Sequence, residues 1–240
     1  MSIKVENLTK VFDGKKVLDN ISFEVNDGSS LAIIGFSGSG KSTVLKIISG
    51  LIKADEGKIS LKSDEVALVF QYSALFDSLN IFDNISFALH ERKDLRKKYS
   101  KEEIKKIVED KLKVVGLEGI EKKYPHELSG GMQKRVSFAR AIVTNPQVIL
   151  YDEPTAGLDP ITSTVIENYI NTLKRELGVT SIIVTHQLST IRNCADRVIM
   201  FYGGKIVFEG TPEEMNQSEN PYAKQFINSS IEGPMQMLTS

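Results

Sequence analysis

The chain has 240 residues, of which 41% are hydrophobic, enough to bury an ordinary core in one large domain or two small ones. Its 30 basic and 31 acidic residues leave a formal net charge of -1, which argues against a nucleic-acid partner or a strongly anionic surface. The single cysteine, Cys194, excludes an internal disulfide, and no apolar stretch approaches the ~20 residues that cross a bilayer. Because residues 1–6 lack the pattern of a secretory signal, we expect the chain in the cytosol.

Residues 3–25 predict an antiparallel β patch. Short apolar stretches alternate with polar residues, most clearly at Ile21, Phe23 and Val25. The dipeptides Asp13-Gly14 and Asp27-Gly28 mark turns, and the second comes just before an apolar run at 31–34. That run is expected to be a buried strand.

Residues 35–43, GFSGSGKST, fit the phosphate-loop pattern G-x-x-x-x-G-K-[ST] between that strand and a helical apolar pattern at 44–48. Glycines let backbone N–H groups close around phosphate oxygens, and the following helix turns its positive end toward the anion. We predict that ATP binds here, with Lys41 at the β- and γ-phosphates and Ser42 on Mg²⁺. The competing interpretation is a glycine turn that only caps a helix. The predicted nucleotide-binding residues are Gly35, Phe36, Ser37, Gly38, Ser39, Gly40, Lys41, Ser42 and Thr43.

The middle of the chain predicts helices and no strand. Ser100 and Glu103 form a capping-box signature, and the apolar spacing after them continues to Gly116. The charged run 91–106 is interpreted as a solvated face. We therefore expect one domain of α/β class, with a nucleotide-binding core and β subdomain at about 1–77 and 145–211, a helical subdomain inserted at 78–144, and a tail at 212–240.

A second glycine-rich loop, LSGGMQ at 128–133, begins one of these helices. Ser129, Gly130 and Gly131 would present the N–H groups and the dipole of a helix N-terminus, which suit a γ-phosphate. Glycines at helix starts are also common for structural reasons.

Two buried strands are predicted at 148–151 and 181–184, and a helix between them from an Asp159 N-cap to Gly178. Asp152 then lies at the carboxyl edge of the sheet, where it is expected to orient Mg²⁺. Glu153 points to the opposite side of an extended backbone and would polarise water as a general base. The alternative is an acidic pair that caps the turn at Pro154. Further on, Gly203-Gly204 between apolar runs predicts a β-hairpin.

This order of motifs resembles the ATP-binding cassette ATPases over nearly the whole chain. The resemblance implies a P-loop NTPase core with an antiparallel β subdomain and an inserted helical subdomain. It implies that two copies stack head to tail and trap each ATP between the phosphate loop of one and Ser129, Gly130 and Gly131 of the other. By the same resemblance Phe12 stacks on adenine, Gln71 contacts Mg²⁺ and the attacking water, and His186 contacts the γ-phosphate. Asp159 matches an aspartate that communicates across the dimer. The resulting catalytic set is Glu153, His186 and Gln71, and the metal set is Ser42, Gln71 and Asp152.

The sequence departs from the common cassette ATPase pattern in several places, and these differences indicate a particular subfamily. The stretch between Gly40 and Gln71 is short, Phe36 is large for a phosphate loop, and Met132 replaces a glutamine. The segment 71–85, the LSGGM sequence and the tail at 226–234 are similar to the Mla, Mkl and chloroplast ATPases of MCE-associated phospholipid transport systems. The resemblance implies a membrane permease and an MCE-type lipid-binding protein as partners, at the cytoplasmic face of the inner membrane.

The expected function is therefore the ATP-hydrolysing motor of a transporter. The permease would dock in a groove beside 71–85, with Leu75, Phe76, Leu79, Ile81 and Phe82 as apolar contacts. The tail from 221 to 240 would reach the second copy. The alternatives are an importer for a small polar solute, a cassette ATPase outside transport, a small-molecule kinase and an ATP-binding scaffold without hydrolysis.

Overall fold

A computed structural model describes residues 2–63 and 65–236 of the chain as two β-sheets with helices around them. The strands are β1 Ile3–Phe12, β2 Lys15–Val25, β3 Ser30–Gly35, β4 Glu56–Leu61, β5 Val66–Val69, β6 Val148–Asp152, β7 Thr180–Val184, β8 Arg197–Tyr202 and β9 Lys205–Gly210. The helices are α1 Lys41–Ile48, α2 Ile81–Glu91, α3 Lys101–Val114, α4 Gly130–Ala141, α5 Pro160–Leu177, α6 Leu188–Cys194, α7 Pro212–Gln217 and α8 Pro221–Ile227. The predicted α/β class is confirmed.

The smaller sheet is antiparallel, with strand order β2-β1-β4. Its hairpin turns at Asp13 and Gly14, both with positive φ, as the sequence predicts. The strands β1 and β2 are longer than the short runs expected. Between α1 and β5, the described residues form one strand, β4, which pairs with β1.

The larger sheet has the order β5-β6-β7-β3-β8-β9 and is parallel except for β9. All residues of β3 and β7 are buried, as expected for parallel strands covered on both faces. The carboxyl ends of β3, β6 and β7 meet at one edge, because these strands are neighbours with aligned register. Three segments distant in sequence are thereby brought together.

Helices α2, α3 and α4 lie between β5 and β6, and the structure has no strand in residues 78–144, all of which it describes. The Ser100 capping box forms as predicted, with Glu103 N donating to Ser100 Oγ and Ser100 N donating to Glu103 Oε2. These helices share a buried apolar cluster with β6 and α5, which includes Phe138 and Tyr151. Cys194 is buried in the same cluster.

One part of the predicted docking surface is wrong. Ile81 has no exposed surface because it begins α2 with its side chain in the core. Phe76 remains 43% exposed and packs against Phe87, with ring centroids 4.8 Å apart. Tyr72, which the apolar pattern did not single out, is 79% exposed.

The C-terminal helices pack against β8 and β9 in a separate apolar cluster. After α8 the chain folds back, and Gln225 fastens it, since its amide donates to Met235 O at 2.9 Å and accepts from Met235 N at 2.8 Å. The part of the tail up to 236 therefore packs on its own chain. Residues 237–240 lie outside the described residues, and contact of the tail with a second copy stays a prediction.

In the part of the chain described, no helix combines the length and the apolarity that a bilayer span needs.

Candidate nucleotide site

The phosphate loop runs from the end of β3 to the start of α1 and borders a cleft of about 560 Å³. Lys41 Nζ donates to Gly35 O at 2.8 Å and to Phe36 O at 2.7 Å, so the ammonium group lies inside the curve of the loop. Burial lowers the pKa of Lys41, and Glu153 and Asp152 partly oppose this effect. The residues that border the cleft are Phe12, Val17, Gly35, Ser37, Gly38, Gly40, Lys41, Ser42, Thr43, Gln71, Glu153, Val184 and His186.

Gly40 is required by the geometry of the loop. It adopts φ 98°, and a Cβ atom there would lie 2.7 Å from Leu18 Cδ2 and 2.8 Å from Val17 O. Any other residue would be strained in conformation and would clash with β2. Gly40 is also the N-cap of α1, so the N-terminus of that helix is directed at the loop.

Three oxygen-bearing side chains form the predicted Mg²⁺ set. Ser42 Oγ donates to Asp152 Oδ1 at 3.0 Å, and Gln71 borders the same cleft. Hydroxyl, carboxylate and amide oxygens are ligands that Mg²⁺ accepts, usually together with water and substrate phosphates. Burial raises the pKa of Asp152, so a nearby cation would offset the cost of its charge. The donor set fits a magnesium ion.

Glu153 and His186 form a pair at the mouth of the cleft. Glu153 Oε1 and His186 Nδ1 are 2.9 Å apart. The other carboxylate oxygen, Oε2, is buried and accepts no hydrogen bond from any described residue. The extended backbone expected at Glu153 is wrong, because β6 ends at Asp152 and Glu153 holds a left-handed conformation with φ 49°. This conformation is uncommon outside glycine and tends to occur at functional sites. An acceptor atom with no protein partner is suited to take a proton from water.

The structure brings together most, but not all, of the predicted nucleotide-site residues. Phe12 is 44% exposed at the cleft and is not part of the strand core. The side chain of Phe36 packs against the apolar cluster of the C-terminal helices and does not border the cleft. Ser39 is buried, and its Oγ has no hydrogen-bond partner among the described residues.

The second glycine loop stands apart from this cleft. Ser129 is the N-cap of α4, where its Oγ accepts from Met132 N, and both Ser129 and Gly130 are exposed. Among the described residues that border the cleft, none comes from 129–131. A single chain therefore presents its two glycine loops on separate surfaces.

The sequence patterns did not predict two contacts at the site. Val17 borders the cleft, but an apolar residue in a strand carries no signal of this role. Lys134 Nζ donates to the carbonyl oxygens of Pro154 and Ala156 and so joins α4 to the loop after Glu153. Its place directly after LSGGMQ is the one available hint, since a lysine on the first turns of that helix has the reach to contact a neighbouring loop.

Sequence comparison with known proteins agrees with a nucleotide-binding role for this cleft. A model of the ABC transporter family matches residues 18–156. The chloroplastic protein TRIGALACTOSYLDIACYLGLYCEROL 3 of Arabidopsis thaliana is 41% identical, over 97% of this chain and 75% of its own length. The probable ribonucleotide transport ATP-binding protein mkl of Mycobacterium leprae is 36% identical, over 99% of this chain and 72% of its own. The spermidine/putrescine import ATP-binding protein PotA of Marinobacter nauticus is 37% identical, over 94% and 62%.

Solved structures give the same result. A dimeric ATP-binding cassette in a post-hydrolysis state, bound to ADP and Pi, superposes with a TM-score of 0.79 at 32% identity, covering 88% of this chain and 98% of its own. Clostridium perfringens cbiO1, part of the ABC transporter complex cbiONQ, superposes with a TM-score of 0.80 at 31% identity, covering 94% of both chains. The chain belongs to the ABC transporter family and is an ATP-binding, ATP-hydrolysing subunit that resembles the Mkl-type proteins.

Proposed function

We propose that two copies of this chain close around ATP and Mg²⁺, and that hydrolysis in this closed dimer drives a membrane permease. The observation that carries the proposal is the separation of the two glycine loops. The phosphate loop borders the cleft, whereas Ser129 and Gly130 are exposed and are not among the described residues that border it. A head-to-tail dimer gives both loops a common ligand. The dimeric ADP-bound cassette supports this arrangement.

The residues of the cleft divide the work of hydrolysis. The phosphate loop and Lys41 hold the phosphates, and Phe12 offers an exposed ring for the adenine. Ser42, Asp152 and Gln71 would hold Mg²⁺, which neutralises phosphate charge when it is bound. Glu153 accepts the proton of the attacking water, and His186 orients that carboxylate through its contact at 2.9 Å.

A permease would contact the helical side of the molecule. A cleft of about 880 Å³ lies between α2, α3 and residues 119–122. Phe82 and Ile104 give it an apolar lining, while Lys101, Lys105 and Glu109 surround them with charge. An amphipathic helix of a permease fits such a groove. The chain would then be a peripheral protein at the cytoplasmic face of the membrane.

We further propose phospholipid as the cargo, delivered with an MCE-type lipid-binding partner. The support is the similarity to the Arabidopsis protein named for a glycerolipid and to mkl. The similarity to PotA, named for spermidine and putrescine import, favours a small polar solute as the second candidate. Mass spectrometry of lipids and proteins that copurify with the complex distinguishes the two. Recovery of a soluble solute-binding protein in place of an MCE-type protein would reject the lipid proposal.

The motor proposal is tested with Glu153→Gln. The variant keeps the shape of the side chain but removes the base, so we expect turnover to fall by about 10²–10⁴-fold and ATP to accumulate in a stable dimer. ATPase rate and size-exclusion chromatography with light scattering measure the two effects. Glu176→Gln, an exposed change on α5, is the matched control. Unchanged turnover in Glu153→Gln would reject Glu153 as the base, and a hydrolysing monomer would reject the dimer.

A further inference from the structure

A buried carboxylate that has no part in nucleotide contact lies on α5. Glu167 is only 2% exposed. Its Oε1 accepts from Thr190 Oγ1 at 2.8 Å, and its Oε2 accepts from Asn193 Nδ2 at 2.6 Å. Both partners are neutral side chains of α6. Glu167 therefore joins α5 to α6 through two hydrogen bonds, one from each of its carboxylate oxygens.

A chain of hydrogen bonds leads from Glu167 through Thr190 to Thr155. Thr190 has a single hydroxyl proton and donates it to Glu167 Oε1. The oxygen of Thr190 is then free to accept, and Thr155 Oγ1 lies 3.0 Å from it. Thr155 and Thr190 have no exposed surface. The buried carboxylate thus orients both hydroxyl groups, and Thr155 becomes the donor at the far end.

Thr155 is the point at which the two catalytic segments meet. It follows Glu153 by two residues, and its carbonyl oxygen accepts from Gln187 Nε2 at 3.3 Å, next to His186. Leu158 N also donates to that carbonyl, at 3.2 Å. The left-handed conformation of Glu153, at φ 49°, needs its surroundings to hold it. The network is attached to the segments of Glu153 and His186 behind the cleft.

We propose that Glu167, acting through Thr190 and Thr155, is a positioning residue for ATP hydrolysis that holds Glu153 and His186 in register. The proposal rests on the catalytic roles given above to these two residues. It concerns the chemical step, because none of the network residues borders the nucleotide cleft in the described part of the chain. Its effect should therefore appear in kcat and not in the affinity for ATP.

The test compares Glu167→Leu with Glu167→Gln in the full-length chain. Leucine leaves Asn193 Nδ2 without its acceptor and lets Thr190 Oγ1 donate to Thr155 instead, which reverses that hydrogen bond, whereas glutamine keeps an acceptor oxygen and fits the same space. We expect Glu167→Leu to lower kcat by about 10- to 100-fold, with the KM for ATP and the affinity for a fluorescent ATP analogue unchanged. Glu167→Gln should recover most of that loss.

A second pair of variants keeps the proposal falsifiable if Glu167→Leu does not fold. Thr190→Val preserves side-chain shape and removes the hydroxyl that joins Thr155 to Glu167, while Thr190→Ser retains it. We expect the valine variant to lose kcat and the serine variant to regain it. Ile166→Val, a neighbouring core change on α5, controls for destabilisation and should leave kcat within about twofold.

The outcomes separate this proposal from the proposed function. Glu153→Gln is measured in the same assay. If it abolishes turnover while Glu167→Leu and Thr190→Val keep their kcat, the network has no positioning role. The same conclusion follows if these variants lose ATP affinity together with kcat, or if glutamine and serine recover nothing. If Glu153→Gln itself retains turnover, the proposed base is wrong.

Discussion

Replacing Asp152 with asparagine should stabilise the ligand-free protein. Asp152 is partly buried, it lies beside Glu153, and burial raises its pKa, so its charge is held at a cost. Asparagine removes the charge and keeps an oxygen that can accept from Ser42 Oγ, now at 3.0 Å from Asp152 Oδ1. Solvent screening keeps the gain small, about 0.5–1 kcal/mol. For a chain of this size, that gain corresponds to a rise in Tm of about 1–4 °C.

The pH dependence of this gain has a definite sign. A carboxyl whose folded pKa is raised costs stability at every pH above that pKa, because the charged form is the disfavoured one. As the pH falls through the folded pKa and then the unfolded one, Asp152 is protonated in both states and the cost disappears. The difference between Asp152→Asn and the parent chain should therefore be largest near neutral pH and shrink on acidification.

The stabilisation that nucleotide and Mg²⁺ give on binding should be smaller in Asp152→Asn than in the parent chain, although the ligand-free variant is more stable. At a nucleotide concentration of 100 times Kd, binding adds about 2.7 kcal/mol, or about 5–10 °C in Tm. We expect the part of this increment that depends on Mg²⁺ to be lost in Asp152→Asn. Differential scanning calorimetry with ATP, with and without Mg²⁺, measures both effects, and Asp110→Asn on the exposed face of α3 is the control. A lower Tm in the ligand-free variant, or a retained Mg²⁺-dependent increment, would refute the reasoning.

Three further predictions concern single backbone or capping positions. Gly40→Ala should destabilise the phosphate loop by about 1–3 kcal/mol and weaken ATP binding in titration calorimetry, because its Cβ meets Val17 O at 2.8 Å; unchanged affinity would contradict this. Asp159→Ala should lower the urea midpoint, since Asp159 Oδ1 caps α5 at 3.0 Å from the N atoms of residues 161 and 162, and Asp159→Asn should restore it. Gly233→Ala, with a Cβ 2.3 Å from the amide of Gln225, should speed proteolysis of the tail, because it disturbs the hydrogen bonds between Gln225 and Met235. An equal cleavage rate would show that these hydrogen bonds do not hold the tail in place.

Local signals in the sequence determined the elements of this protein and the types of chemistry they carry. The capping residues Ser100 and Asp159, and the turn at Asp13-Gly14, act through hydrogen bonds within a few residues, so they have the same meaning in any fold. The phosphate loop is equally local, since one strand, one turn and one helix build it. These features could be predicted because nothing distant decides them.

Tertiary structure alone decided which side chains meet. The pairing of β6 with β7 brings Glu153 within 2.9 Å of His186, and no local pattern encodes that distance. The same is true of Ile81, whose apolar character suits a docking surface as well as a core, and of Phe36, which packs toward the tail. Glu167 is an ordinary helix residue by its sequence pattern. Its burial and its link to Thr190 arise from the packing of α5 against α6, because side-chain environment is a property of elements brought together from distant parts of the chain.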